Sequence, residues 1–321
     1  MAGGSVLVTD TFLARYGDRL AGCTARPVLV LRAEAGLSEE ELAEVEVAWF
    51  SPDTFPDRVP EYLDAIERSP ALRWFATLSA GVDHPFFHGL LARGVRLTTS
   101  SGSSAVPIAE GVLAGMLALA RSLPAAVEAQ RAHRWERARM DELAGARVLV
   151  VGLGPIGAGV VARCRAFDME VEAMRRRPDG TEGVPTHAYA ELPVIVGRFD
   201  WIVLAAPLSP LTEGLLSEAV IAAMRPGARL VNIGRGGLVD EPALVAGLRE
   251  GRVGGAYLDV TAVEPLPADS ELWDLPTVLI TAHTSGASTG TVDRANEIFL
   301  DNLRRYDAGS SLVNEVTADA S

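Results

Sequence analysis

Three side chains in the second half of the chain have complementary chemistry. Arg235 stands in "VNIGRGGLVDE", Glu264 in "LDVTAVEPLP" and His283 in "LITAHTSGAS". A histidine titrates near neutrality and can give a proton to an oxygen or take one back. A carboxylate beside it favours the imidazolium and fixes the ring. An arginine can hold a carboxylate through its planar fork and polarise a carbonyl next to it. Singly, each has an ordinary explanation: Arg235 could cap a turn, Glu264 could sit in an exposed loop, and His283 could be a satisfied loop histidine. Each, however, follows a short apolar run of β type, and open α/β sheets bind ligands beyond the carboxyl ends of their strands.

Upstream, "RVLVVG" runs into "GLGPIG", which sets Gly152, Gly154 and Gly157 in G-x-G-x-x-G spacing, with Pro155 and Ile156 between them. In a chain with 31 glycines this spacing alone is a weak signal. Here it follows a strand, opens a helix and leads to another strand, the context a dinucleotide pyrophosphate requires. The next strand ends in "VEAMRRRPDG". Its tip, where an acidic residue would bind ribose hydroxyls, falls on Arg175, with Arg176 beside it. Glu172 is nearer the nominal spacing but lies inside the strand. A run of arginines is usually a solvated surface; at this tip, Arg175 and Arg176 can pair with a 2′-phosphate. The expectation is NADP(H) in preference to NAD(H), which stays possible, with Arg177 left as a solvated arginine. Hydride transfer to a ketone leaves negative charge on oxygen and needs a proton donor. A small 2-oxo or 2-hydroxy acid is therefore the substrate class that uses Arg235, Glu264 and His283 together.

The elements that must position these groups repeat one pattern: apolar run, turn, helical stretch. The runs span 147–152, 170–174, 200–207, 229–234, 255–260 and 277–282. Near-continuous β-rich runs alternating with helices predict a buried parallel sheet covered on both faces, with six strands. The first hundred residues carry five more candidates, "SVLVTD", "PVLVLR", "VEVAWF", "LRWFATLSAG" and "VRLTTS", and Ser38 with Glu41 in capping-box spacing predicts a helix start. An apolar helix is predicted from Ala105 to about Leu123, bridging two domains, and the final helix "TVDRANEIFLDNLRRYDAG" is expected to return to the first. The fold class is thus α/β with two doubly wound parallel sheets: a Rossmann cofactor domain (104–285) inserted in a smaller flavodoxin-like substrate domain (1–103 plus 286–321).

Bulk properties narrow the partners. The chain has 321 residues, 48% hydrophobic and 22% charged, with a net charge of −13. Such acidity argues against nucleic acid or an anionic membrane as main partner. No apolar run approaches the length of a membrane span, and the start "MAGGSVLVTD" has no secretory pattern. The two cysteines, Cys23 and Cys164, match no metal or redox spacing. With His84, His88, His133 and His187 also lacking a third ligand, no metal is expected, and the reading is a reduced cytoplasmic protein. The chain contains no lysine, which excludes Schiff-base chemistry and a lysine general acid.

The "GLGPIG" loop, "NIGRGGLVDE", "LDVTAVEPLP" and "TAHTSG" resemble the D-isomer-specific 2-hydroxyacid dehydrogenase family, in its glyoxylate/hydroxypyruvate reductase-like branch, in the same order and at similar spacing. "LSAGVDH" and "SSGSSAVPIAEGVL" resemble that family's substrate-domain motifs. The resemblance covers most of the chain. It implies Arg235, Glu264 and His283 as the catalytic set, with His283 as acid/base and Glu264 as its partner. It implies that Ala80, Gly81 and Val82 bind the substrate carboxylate through their backbone. Asp259 would lie near the nicotinamide, and Pro207 and Thr212 would belong to the cofactor site. The chain departs from the family's common residues at Thr99 (often Asn), Ala282 (often Pro) and Thr261–Ala262 (an aromatic is missing), which puts substrate identity rather than reaction type in doubt. Formate dehydrogenases of the superfamily carry an amide where this chain has Glu264.

Two rival classes share part of this pattern. β-Hydroxyacid dehydrogenases use a catalytic lysine and an N-terminal glycine loop, and this chain has neither. A cofactor-sensing corepressor-like binding protein on the same fold could keep all three groups, but this chain lacks a basic tail. The segment "RAHRWERARM" (131–140) is expected at a homodimer contact, where Trp135 either reaches the partner's site or only packs the interface.

Overall fold

The computed structural model describes residues 4–32, 36–79, 81–82, 84–137 and 140–316. Cα proximity divides the chain into two units, Met1–Ser103 with Ser288–Ser321, and Ser104–Ala287.

In the first unit β1 (Ser5–Thr9), α1 (Asp10–Ala21), β2 (Val28–Leu31), α2 (Glu39–Glu44), β3 (Val45–Phe50), α3 (Val59–Glu67), β4 (Trp74–Thr77), α4 (Pro85–Ala92) and β5 (Arg96–Thr99) alternate. The five strands are all parallel, in the order β2-β1-β3-β4-β5, which is the flavodoxin-like order. The strand pleat sends Val6 and Val8 to one face and Leu7 to the other. On the first face, Trp49 and Trp74 meet α1 and the terminal helix Thr289–Asp307 through Phe12, Phe299 and Leu303. Trp49 stacks on Phe299 at 4.9 Å, and its Nε1 donates to Asn296 Oδ1 at 3.0 Å, so the one polar atom of a buried indole is satisfied. The opposite face packs Phe75 and Leu97 against Tyr62 and Ile66 of α3 and Leu90 of α4. Ser38 and Glu41 form the reciprocal capping box that their spacing predicts. At the start of β5, Arg96 grips Glu315 with two hydrogen bonds of 2.6 and 2.8 Å.

The second unit begins with α5 (Ala105–Ala120) and α6 (Leu123–Arg131). It continues through β6 (Arg147–Val151), α7 (Pro155–Ala166), β7 (Glu170–Arg175), β8 (Thr186–Ala188), α8 (Leu192–Ile195), β9 (Trp201–Leu204), α9 (Glu218–Ala223), β10 (Arg229–Asn232), α10 (Glu241–Arg249), β11 (Gly255–Leu258) and β12 (Val278–Ile280). The chain then returns to the first unit as α11 (Thr289–Asp307). The sheet runs β12-β11-β10-β9-β6-β7-β8, every pair parallel, the dinucleotide-fold order with one strand added beyond β11. Leu149, Val151, Ile202, Leu204 and Leu230 face one layer of helices. Val148, Val150, Val203 and Val231 face α5 and α7. Both faces are apolar, which is why these strands read as continuous hydrophobic runs. Each fully buried aliphatic side chain contributes roughly 1.5–3 kcal/mol.

Two elements differ from the sequence expectation. The sheet has seven strands, not six. The extra one, β8, pairs with Ala173–Arg175 at the sheet edge and reads Thr-His-Ala, too short and too polar to stand out. The apolar helix stops at Ala120 rather than near Leu123, because Ser122 takes φ 50° and α6 restarts with Pro124 in its first turn. Among the described residues no single helix is long and apolar enough to cross a membrane. Only α5 and α6 together have that length and composition, and they bend by 63°.

Candidate active site

The glycine loop is set by backbone contact. Gly152 follows β6 at φ +102°, and a Cβ on it would lie 2.6 Å from Ala206 N. A Cβ on Gly157 would lie 1.9 Å from Gly152 O, so α7 can sit this close to the strand only with glycine there. Gly154 is the N-cap of α7, without a side-chain cap, and nothing stands within 4 Å of where its Cβ would be. Pro155 occupies the first helical position, and the amides of Ile156 and Gly157 follow in the first turn. The result is a helix N-terminus with open space before it and the positive end of the dipole facing that space, which fits a pyrophosphate.

Arg175 is the last residue of β7. Its Nη1 lies 3.4 Å from both Asp179 Oδ2 and Glu182 Oε1. The Glu182 side chain is only 3% exposed. It accepts from Asp179 N at 2.8 Å and Gly180 N at 2.9 Å, and the Asp179 amide above all holds its carboxyl below the usual range. Arg175 thus stands at the tip with two carboxylates against it, while Arg176 and Arg177 are exposed. Glu172 points elsewhere: its Oε2 binds Arg198 Nη2 and His187 Nε2, each at 2.6 Å. Thr212 is 1% exposed, and its hydroxyl donates to Pro207 O at 2.7 Å and accepts from Ser209 N at 2.9 Å, bracing the loop after β9.

Arg235, Glu264 and His283 stand beyond the same carboxyl edge of the sheet. After β10, buried Asn232 shapes the turn: its Nδ2 donates to Arg235 O at 3.0 Å and its Oδ1 accepts from Gly234 N at 3.1 Å. Arg235 is half-buried and extended, and its Nη1 donates to Gly234 O at 2.8 Å. After β11, Asp259 is 2% exposed and folds the segment beyond β12 around itself. Its carboxylate accepts from Thr281 Oγ1 at 2.5 Å, Thr284 N at 3.0 Å and Ser285 N at 3.1 Å, while its carbonyl accepts from His283 N at 2.8 Å. That knot holds His283 at φ 52°, a left-handed conformation costly for a non-glycine residue.

His283 Nδ1 lies 2.8 Å from Glu264 Oε2. With Nδ1–H given to the carboxylate, Nε2 is the nitrogen that can exchange a proton with a ligand. Their side chains are 52% and 39% exposed. An ion pair this open adds at most about 1 kcal/mol to stability. The structure therefore brings His283 and Glu264 into one pair and ties the His283 backbone to Asp259. In the first unit, Gly81 and Val82 are half-buried after β4, with Gly81 O accepting from Ser79 Oγ at 2.7 Å; Ala80 lies outside the described residues. Trp135 is 95% exposed. Among the described residues no group of three His, Cys, Asp or Glu could hold a metal ion. Sequence reasoning missed Asn232 and the bracing role of Asp259; the available signal was a polar residue at or just past the end of an apolar strand.

A doubly wound sheet with a phosphate-ready glycine turn and a histidine–carboxylate pair at the same edge is the framework of a dinucleotide-binding α/β protein. The pattern of the D-isomer specific 2-hydroxyacid dehydrogenase NAD binding domain matches residues 113–285. The chain is 34% identical over 262 residues to a D-3-phosphoglycerate dehydrogenase of Mycobacterium leprae, covering 80% of this chain and 49% of that protein, so it spans about half the relative's length. It is also 34% identical over 247 residues to glyoxylate/hydroxypyruvate reductase B of Pectobacterium carotovorum, covering 75% and 77% of the two chains. The solved structure of a D-isomer specific 2-hydroxyacid dehydrogenase from Xanthobacter autotrophicus Py2, in complex with NADPH and MES, superposes with a TM-score of 0.78 at 31% identity, covering 99% of this chain and 98% of that one. The chain belongs to the D-isomer-specific 2-hydroxyacid dehydrogenase family.

Proposed function

We propose that the protein is a D-2-hydroxyacid dehydrogenase that prefers NADP(H) and works as a reductase of small 2-oxo acids. The His283–Glu264 pair carries this reading, Nδ1 to Oε2 at 2.8 Å, beyond the same sheet edge as the glycine loop. Bound NADPH supplies the hydride to the carbonyl carbon. His283 gives its Nε2 proton to the carbonyl oxygen, and the products are the D-2-hydroxy acid and NADP+. Glu264 orients the ring and stabilises its charged form before transfer. Arg235 takes the substrate carboxylate and polarises the adjacent carbonyl. The backbone of Ala80, Gly81 and Val82 is the proposed second hold on that carboxylate. Half-exposed His283 regains its proton from solvent.

Gly152, Gly154, Pro155, Ile156 and Gly157 would cradle the pyrophosphate, with Pro207, Thr212 and Asp259 completing the cofactor site. Arg175 and Arg176 would take the 2′-phosphate, which has to compete with Asp179 and Glu182 for Arg175. The NADPH bound to the Xanthobacter relative supports that preference. The 131–140 segment, with Trp135 in water, is the proposed homodimer contact of a cytoplasmic protein.

The test is steady-state assay of glyoxylate, hydroxypyruvate and further 2-oxo acids with NADPH and NADH in parallel, together with D-3-phosphoglycerate in the oxidative direction. The expected result is turnover of a small 2-oxo acid, faster with NADPH. No turnover across the panel would sink the enzymatic reading. Equal turnover with both cofactors would sink only the preference.

A further inference from the structure

Glu264 faces two ways. Its Oε2 meets His283 Nδ1, and its Oε1 accepts from Thr261 N at 3.2 Å. The position of the carboxylate therefore depends on the short loop 261–264, which Thr261 Oγ1 tightens by donating to Val263 O at 2.8 Å. This loop has two anchors outside itself. Gly236, next to Arg235, lies so close that a Cβ on it would fall 1.9 Å from Thr261 O. The second anchor is Glu241, whose Oε2 accepts from Ala262 N at 2.9 Å. Glu241 is the first residue of α10, and Asp240 already caps that helix by accepting from Ala243 N at 3.1 Å. The helix does not need the reach of Glu241 across to Ala262, a residue 21 positions away in sequence.

We infer that Glu241 is a positioning residue of the proposed reaction: by holding Ala262 N–H, it keeps Glu264 in register with His283 and ties that pair to the turn that carries Arg235. The inference rests on reading His283 as the acid/base. Its chemistry is a single retained acceptor. A glutamine at 241 can still accept from Ala262, an alanine cannot, and an aspartate keeps the charge at the helix start but is one methylene too short to reach.

The experiment compares wild type with Glu241→Ala, Glu241→Asp, Glu241→Gln and His283→Ala. For each, kcat, KM and the pH profile of kcat/KM are measured for NADPH-dependent reduction of the best 2-oxo acid, with thermal melting and NADPH titration alongside. Asp259 and Arg235 are unchanged in every variant. Glu241→Ala and Glu241→Asp should lose about tenfold in kcat with KM little changed, the scale expected when a reacting group is displaced by a fraction of an ångström. Their pH profile of kcat/KM should depart from that of wild type. Glu241→Gln should restore most of kcat and the profile. If Glu241→Ala does not fold, the contrast between the Asp and Gln variants decides. Wild-type kcat and pH profile in the Ala or Asp variant, or a Gln variant no better than Asp, would overturn the inference. Full turnover by His283→Ala would instead overturn the reading of the site on which it rests.

Discussion

The glycine loop and the loops that carry His283 and Glu264 lie beyond one sheet edge and are built by opposite means. The first is shaped by what is missing: at Gly152 and Gly157 the backbone of one element occupies the space a side chain would need. The second is shaped by acids and amides, with Asp259 gathering 281–285, Asn232 the turn of Arg235, and Glu241 the loop of Glu264. Steric closeness leaves a spacing in the sequence, because only glycine satisfies it. Polar bracing leaves almost none, because most of its partners are backbone atoms of any residue type.

This contrast can be broken at several points. The largest effect is expected at His283: the alanine variant should lose roughly 100- to 10,000-fold in kcat while NADPH titrates as before. Retained kcat would mean that the braced loops serve no proton transfer. Asp259→Ala comes next. It leaves the amides of Thr284 and Ser285 without their acceptor and loosens the segment on either side of His283, whose own amide keeps the carbonyl at 259, so kcat should drop about 100-fold and the melting temperature should fall with it. Unchanged turnover there would show that the knot is only structural. At the nucleotide tip, Arg175→Ala should raise KM for NADPH by about tenfold and leave KM for NADH unchanged, as loss of one charge-assisted contact predicts; a parallel rise in both would remove the 2′-phosphate assignment. Within the glycine loop, Gly157→Ala should lower stability by roughly 1–3 kcal/mol through overpacking. Gly154→Ala, with open space at its Cβ, should melt like wild type and weaken only NADPH binding. Equal melting shifts for the two would erase the distinction between packing and approach.

The smallest effect concerns the first unit. Arg96, hydrogen-bonded to Glu315, holds its carboxyl below the usual range. A depressed carboxylate stabilises the fold above its unfolded value of about 4.3, and that contribution fades as the pH falls through the lower folded value. Glu315→Gln should therefore cost under about 1 kcal/mol near neutrality and nothing once the pH is below both values, as denaturation at a series of pH values would reveal.

The same contrast explains what could be read from the sequence. The strands were legible where burial on both faces makes a run of Val, Ile and Leu, as at 147–151 and 229–232. Thr186–Ala188 was not, since it becomes a strand only by pairing with Ala173–Arg175. The end of α5 was hidden because Arg121 and Ser122 break no hydrophobic period; Ser122 turns by its backbone angle. At the candidate site, Arg235, Glu264 and His283 stood out because each follows a strand-like run. Glu241 and Asn232 did not, because their partners are backbone atoms that no residue type announces. The two acids against Arg175 were equally silent, since a turn rather than a period brings 179 and 182 back to 175.

The indoles are sorted by solvent in a way that turns the 131–140 segment into an optical reporter. Trp49, Trp74 and Trp201 are at most 2% exposed, Trp273 is 53% exposed and Trp135 is 95% exposed. An aqueous quencher such as iodide will reach Trp135 first and the three buried rings last. The accessible share of the emission then reads out whether water still surrounds that one ring, and at what protein concentration it ceases to.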